Sequence, residues 1–314
     1  MMRILVTGAS GQIGSELVPA LREVYGRDNV VASSRRRRGS LTDPFVELDV
    51  LRRDELERVV RDYKIEAIVH LAAVLSAKGE QDPALAWDVN TNGTINVLEV
   101  ARANKLEMVV IPSSIAVYGP ETPDNPGDIT IMKPKTIYGI SKVVTELLGE
   151  YYYSRYGLDV RGPRLPGVIS WKTPPGGGTT DYAVEAFYEA VKRREYTFWV
   201  RPDTRLPMIY MPDTIKAFLL LMKAESSSLT ARFYNVQGMS FTARELAETI
   251  RKFIPEFKAD FKPDPLRQKI ADLWPKSIDD SRARRDWGWK PEWDLESMAR
   301  DMIENLRRVL VESG

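Results

Sequence analysis

Tyr138 and Lys142 stand four residues apart in the run Thr136-Ile-Tyr138-Gly-Ile-Ser-Lys142. On a helix this spacing puts both side chains on one face. A free tyrosine ionises near pH ~10, and a neighbouring ammonium favours the phenolate. Such a pair can accept a proton from a hydroxyl while hydrogen leaves the same carbon. An ordinary surface helix carries the same spacing, so the motif needs company. Company comes at the start of the chain, where Thr7-Gly8-Ala-Ser-Gly11-Gln-Ile-Gly14 follows one apolar run and opens an amphipathic one. Gly8 permits a tight turn, Gly11 lets backbone approach a diphosphate, and Gly14 allows close helix packing, with helix-start N–H groups facing the phosphates. Ser114, just past the apolar run from Val109, is placed to orient the reacting oxygen. Together these residues describe transfer of a hydride from a carbinol carbon to a nicotinamide.

Holding them requires strands that end at a common edge and helices that start there. The spacing predicts strands at Arg3–Thr7, Asn29–Ser33, Phe45–Leu48, Ala67–Leu71 and Met108–Pro112. Helices are predicted between them at Gln12–Tyr25, Arg52–Tyr63 and Pro83–Asn104. Continuous apolar β-branched runs suit strands buried on both faces, and this alternation implies an α/β doubly wound parallel sheet of Rossmann type. A helix over Tyr138–Arg155 and a strand over Asp159–Leu165 follow. Beyond them, Thr173-Pro-Pro-Gly-Gly-Gly-Thr179-Thr180-Asp181 reads as a flexible loop feeding a helix at Tyr182–Arg194. Further elements are predicted at Pro207–Asp213, Arg232–Val236, Thr242–Phe253 and Leu295–Val311. The expected division is a dinucleotide domain of residues 1–165 and 204–236, with a smaller C-terminal substrate lobe of 166–203 and 237–314.

Composition narrows the chemistry. The 314 residues balance 45 Lys and Arg against 44 Asp and Glu, so no global field favours nucleic acid or an acidic membrane. There is no cysteine, which removes disulfides, thiolate nucleophiles and cysteine zinc sites. The one histidine, His70, lies in a buried-strand pattern and reads as structural. No apolar stretch reaches the ~18 residues of a membrane span, and the N-terminal run is too short for a signal sequence. A cytoplasmic protein with a small-molecule substrate and no bound metal is expected.

At the adenosine end the sequence leaves alternatives open. An acidic residue after the second strand favours NAD, whereas arginine accommodates the 2′-phosphate of NADP. This chain has Ser33-Ser34-Arg35-Arg36-Arg37-Arg38, which suits NADP or is simply a solvated basic loop. Asp49 fits either a hydrogen bond to the adenine amino group or a turn. Thr179-Thr180-Asp181 equally suits a helix N-cap.

The glycine run, His70-Leu-Ala-Ala73, Asn90-x-x-Gly93-Thr94, Ser114-x-x-Val-Tyr-Gly119 and Tyr138-x-x-x-Lys142 resemble the extended short-chain dehydrogenase/reductase superfamily over essentially the whole chain. Leu75-Ser76-Ala-Lys-Gly-Glu80, Ile111-Pro-Ser113-Ser114-Ile115, Gly178-Thr-Thr-Asp181, Leu206–Asp213 and Trp274-Pro-x-Ser277 are more specific. They resemble the L-threonine 3-dehydrogenases of the UDP-galactose-epimerase-like branch. The resemblance implies oxidation of the C3 hydroxyl of L-threonine to 2-amino-3-oxobutanoate with NAD, without metal. It implies Tyr138 as base, Lys142 as its electrostatic partner and Ser114 as the orienting hydroxyl. It places Ser76, Ser113, Thr179, Thr180 and Asp181 against the amino acid. It places Gly8, Ser10, Gly11, Gln12, Ile13, Gly14, Ser34, Arg35, Asp49, Val50, Leu71, Ala72, Ala73, Asn90, Pro112, Tyr138, Lys142 and Pro166 against the cofactor. Ser34 stands where that family usually has Asp, so NADP stays open beside NAD. A homodimer through the helices near Pro83–Asn104 and Tyr138–Arg155 is implied as well. The competing readings are a nucleotide-sugar epimerase or dehydratase with tightly bound NAD, and a non-catalytic dinucleotide sensor. The absence of an acidic residue beside Tyr138 argues against dehydratase chemistry.

Overall fold

The computed structural model describes residues 1–311 except Ser40, Pro175 and Gly177. Pro175 and Gly177, in the predicted glycine-rich segment, therefore lie outside the described residues. The strands of the first half are β1 (Ile4–Thr7), β2 (Val30–Ser34), β3 (Phe45–Glu47), β4 (Ala67–His70), β5 (Met108–Val110), β6 (Ser113–Ser114) and β7 (Asp159–Leu165). In the second half lie β8 (Gly167–Ile169), β9 (Glu195–Phe198), β10 (Arg205–Tyr210), β11 (Phe233–Asn235), β12 (Met239–Thr242) and β13 (Lys258–Phe261).

The main sheet runs β3-β2-β1-β4-β5-β7-β11, with β6 also on β7. All of its pairings are parallel. Ile4, Leu5 and Val6 are fully buried, as a strand covered by helices on both faces must be. Strand order reverses between β1 and β4, whose ends are level, Thr7 standing opposite His70. In open α/β sheets the crevice beyond such a reversal is where ligands bind. The Rossmann-type reading of the sequence is thus the observed fold.

Several helices follow the sequence closely. Gln12–Tyr25 has the predicted bounds and buries Leu17, Val18 and Leu21 against the sheet. Ile137–Tyr156 starts where the Thr136 side chain accepts from the Gly139 N–H at 3.1 Å and ends at left-handed Gly157. The helix predicted over Pro83–Asn104 is interrupted instead. It comprises Pro83–Trp87, a π-helical turn at Asp88–Asn92 and Gly93–Ala103. At the turn the Asn90 side chain reaches out to the backbone of Val74, accepting from its N–H at 2.7 Å and donating to its carbonyl at 3.0 Å. A short helix, Ser76–Gln81, precedes it and carries too few apolar residues to announce itself.

A second layer forms a three-stranded sheet, β12-β10-β8, and a two-stranded one, β13-β9. Phe187, Phe198, Tyr210, Phe241, Met298 and Leu306 fill its core. The expected division at residue 204 puts β10 with the dinucleotide domain. Its partners are β8 and β12, however, while β11 returns to β7. The segment 204–236 therefore straddles both sheets. Among the described residues no helix is long and apolar enough to cross a membrane.

Candidate active site

After β1 the chain turns at Gly8 with φ +70°, and a Cβ there would lie 2.6 Å from the Ala72 backbone nitrogen. Both conformation and space thus demand glycine. At Gly14 a Cβ would sit 2.6 Å from the Ala9 Cα, so the helix lies directly on the loop. Gly11 is the N-cap of Gln12–Tyr25, with no side-chain cap and no acidic residue in the first turn. The positive end of the helix dipole is therefore left uncompensated where Gly11, Gln12, Ile13 and Gly14 line the cleft. A turn framed by Gly8 and Gly11 under an uncapped helix start fits a dinucleotide diphosphate.

The opposite wall comes from β6 and the helix Ile137–Tyr156. Lys142 is buried, donates from Nζ to the Pro112 carbonyl at 2.8 Å, and lies 5.7 Å from the centre of the Tyr138 ring. The Ser114 hydroxyl is hydrogen-bonded to the Tyr138 phenol. Burial pulls the Lys142 pKa down to about 8, with the negative Glu146 opposing. The Tyr138 phenol is pushed up to about 12 by burial, the Ser114 bond working against it. The sequence reading had the ammonium lowering this value. Desolvation sets the direction instead, and Lys142 gives its contact to the Pro112 carbonyl. His70 is buried as expected, its Nδ1 2.7 Å from Thr7 Oγ1, and desolvation together with Lys142 holds its pKa near about 3.

Above this wall Ser76 Oγ lies 3.4 Å from Thr179 Oγ1, joining the segment after β4 to the loop before Tyr182–Arg193. Asp181 stands at the N-cap of that helix without capping it through its side chain. Instead Asp181 Oδ2 accepts from the Gly178 N–H at 2.8 Å and closes the preceding loop. The predicted cap is thus a loop clasp.

One cleft gathers most of the expected residues: Gly8, Gly11, Gln12, Ile13, Gly14, Leu71, Ala73, Ser76, Pro112, Ser113, Ser114, Tyr138, Lys142, Pro166, Thr179, Thr180 and Asp181. Leu75, Ile115, Leu165, Val168 and Trp274 add to its apolar lining. Ser10, Ser34, Arg35, Asp49, Val50, Ala72 and Asn90 stand outside that lining. Ser10 donates its N–H to Ser34 Oγ at 2.9 Å, tying the glycine loop to the end of β2. Arg35 is exposed and its side chain makes no hydrogen bond or ion pair among the described residues. Asp49 Oδ1 accepts from the Leu51 N–H at 3.0 Å, the turn alternative. Val50 lies against Gly93, Ala72 presents backbone to Gly8, and Asn90 serves the backbone of Val74.

A buried network behind the cleft escaped the sequence reading. Ser113 donates its hydroxyl to Glu146 Oε1. Arg164, paired with Ser113 across β7 and β6, donates to Glu146 Oε1 at 2.9 Å and Oε2 at 2.7 Å. Its remaining nitrogen donates to Tyr118 Oη and Asn235 Oδ1, both at 2.9 Å. Burial works against the Arg164 charge, but Glu146, together with Tyr118 and Asp128, more than offsets it and raises the pKa above the usual arginine range. The available signal was position: Glu146 is four residues beyond Lys142, so Tyr138, Lys142 and Glu146 form one helix stripe.

Comparison with known proteins agrees with this geometry. Residues 4–236 match the NAD dependent epimerase/dehydratase family. The chain is 47% identical over 305 residues to the mitochondrial L-threonine 3-dehydrogenase of Bos taurus, covering 96% of this chain and 82% of that one. The crystal structure of an L-threonine dehydrogenase from Phytophthora infestans superposes with a TM-score of 0.96 at 51% identity, covering 98% and 99% of the two chains. A monomeric L-threonine 3-dehydrogenase from a metagenome superposes with a TM-score of 0.94 at 48% identity, covering 98% and 99%. The chain belongs to the NAD dependent epimerase/dehydratase family and, within it, is similar to L-threonine 3-dehydrogenases.

Proposed function

We propose that the protein oxidises the C3 hydroxyl of L-threonine to L-2-amino-3-oxobutanoate. The observation that carries this reading is the meeting of Ser114, Tyr138 and Lys142 with the uncapped glycine loop in one cleft. A bound oxidised nicotinamide dinucleotide supplies the acceptor for the hydrogen and two electrons that leave C3. Ser114 hydrogen-bonds the substrate hydroxyl and Tyr138 takes its proton. Lys142, anchored on the Pro112 carbonyl, holds positive charge beside the ring and stabilises the phenolate. Ser76, Ser113, Thr179 and Asp181 bind the amino acid end. Proton removal needs no metal in this scheme.

NAD is the cofactor proposed from the similarity. The exposed arginines after Ser34 supply the charge for a 2′-phosphate, so NADP is the competitor to test. A homodimer through the helices bearing Leu85, Trp87 and Leu147 is part of the proposal, supported by their exposure of 39%, 38% and 60%. A cytoplasmic location is likewise carried as a proposal. Reduced-nicotinamide absorbance on mixing the protein with L-threonine and either cofactor tests the reaction. Turnover is expected, and the better cofactor settles how Ser34 and Arg35 are read. Silence in protein that still binds dinucleotide would turn the assignment towards nucleotide-sugar chemistry.

A further inference from the structure

Ser113 is buried to 2% yet lines the cleft beside Ser114. By residue type alone its hydroxyl suits either role, donor to a carboxylate or acceptor from an ammonium. The neighbours decide. Arg164 donates to both oxygens of Glu146, at 2.9 and 2.7 Å, so both carboxylate oxygens act as acceptors. A hydroxyl meeting such an oxygen must donate, and Ser113 has one proton to give. Glu146 cannot turn away to release it. Arg164, which grips it, is itself held by Tyr118 and Asn235, each at 2.9 Å. The backbone register that sets Ser113 opposite Arg164 fixes the third side.

We infer that Glu146 is a positioning residue which, braced by Arg164, claims the Ser113 hydroxyl proton and turns the oxygen lone pairs to the cleft, so that Ser113 accepts from the α-ammonium of the substrate and does not bind its carboxylate. The inference rests on the amino-alcohol reading above and deepens it. It makes the Ser113–Glu146 pair the element that distinguishes a 2-amino-3-hydroxy acid from a plain 3-hydroxy acid. The negative Glu146 behind the serine adds a favourable field for the same cation.

The test compares L-threonine with (R)-3-hydroxybutanoate, which keeps the carboxylate and the C3 hydroxyl but lacks the amino group. KM for L-threonine and the inhibition constant of the hydroxybutanoate are measured for the native protein and for Ser113→Ala, Ser113→Thr and Glu146→Gln. Ser113→Ala is expected to raise KM for L-threonine about tenfold or more, the loss of a hydrogen bond to a charged group. The inhibition constant should stay within about twofold, and Ser113→Thr should restore KM. Glu146→Gln should raise KM for L-threonine by a larger factor than it lowers kcat, since its charge also supports Lys142, and should leave dinucleotide affinity close to native. An equal weakening of both ligands by Ser113→Ala would make the serine a carboxylate donor and overturn the inference. So would no weakening of either. If Glu146→Gln does not fold, the two serine variants still decide. Native protein that binds dinucleotide but leaves L-threonine untouched would overturn the functional reading itself and take this inference with it.

Discussion

At one end of the cleft Lys142 is buried, Ser114 and Tyr138 are half-buried, and all three are tied to backbone or to one another. At the other end, next to Ser10, Arg35, Arg36 and Arg38 stand exposed with no side-chain partner among the described residues. Arg37 alone is engaged, pairing with Asp43 and stacking 4.6 Å over Phe45. The reacting end must hold a proton acceptor in a set place, so desolvation and hydrogen bonds fix its groups and shift their pKa values. The recognition end has only to offer charge to whatever ribose arrives, and long solvated arginines do that without a rigid frame. Pre-organisation is concentrated where bonds break.

That contrast can be broken most forcefully at Tyr138. Tyr138→Phe should lower kcat by about 10²–10⁴-fold, the usual worth of a general base, while dinucleotide titration stays near native. Retained turnover would dissolve the distinction between the two ends. Next in size is Gly14→Ala. Its Cβ would meet the backbone of Gly8 and Ala9 at 2.6–2.7 Å, so an unfolding loss of about 3 kcal/mol is expected by thermal melt. A smaller effect belongs to His70. Its folded pKa is about 3 against an ordinary 6.5, so the unfolded chain binds a proton first and stability falls as pH drops from 6.5 towards 3. At about pH 5 the loss should reach about 2 kcal/mol. Asp128, raised by burial to about 6, works in the opposite sense, losing stability as pH rises from 3.8 to 6. The measurement is therefore the difference between native protein and His70→Gln, which should show a shallower acid slope. Smallest is Arg35→Ala. It should change the ratio of NADP to NAD usage by a few fold and leave stability within about 0.5 kcal/mol. A large melting shift there would show that the exposed end is structural after all.

The sheet and most helices were legible because buried parallel strands and amphipathic helices write their periods into the chain. The helix Gln12–Tyr25 has its predicted bounds, and Leu295–Val311 likewise. The catalytic trio was legible because its spacing is local. What escaped depends on distant partners. The π-helical turn at Asp88–Asn92 keeps a helical pattern and differs only in where Asn90 sends its side chain. The sheet of β8, β10 and β12 pairs strands of three to six residues that lie far apart in sequence. Glu146 and Arg164 read as ordinary charges until the fold puts β7 beneath the helix that carries Tyr138. Arg35 is exposed, which the basic-loop reading and the 2′-phosphate reading both allow.

Asn90 closes its amide onto both polar groups of Val74, as a neighbouring strand would. A third bond, 3.2 Å from Asn90 Nδ2 to Ser141 Oγ, fastens this pair to the helix of Tyr138 and Lys142. Val74 lies past the end of β4, where no strand ladder continues to protect it. Its amide proton should nonetheless exchange with deuterium on the slow timescale of the central strands. The side-chain clamp extends the sheet's resistance to local opening by one residue's reach into the floor of the cleft.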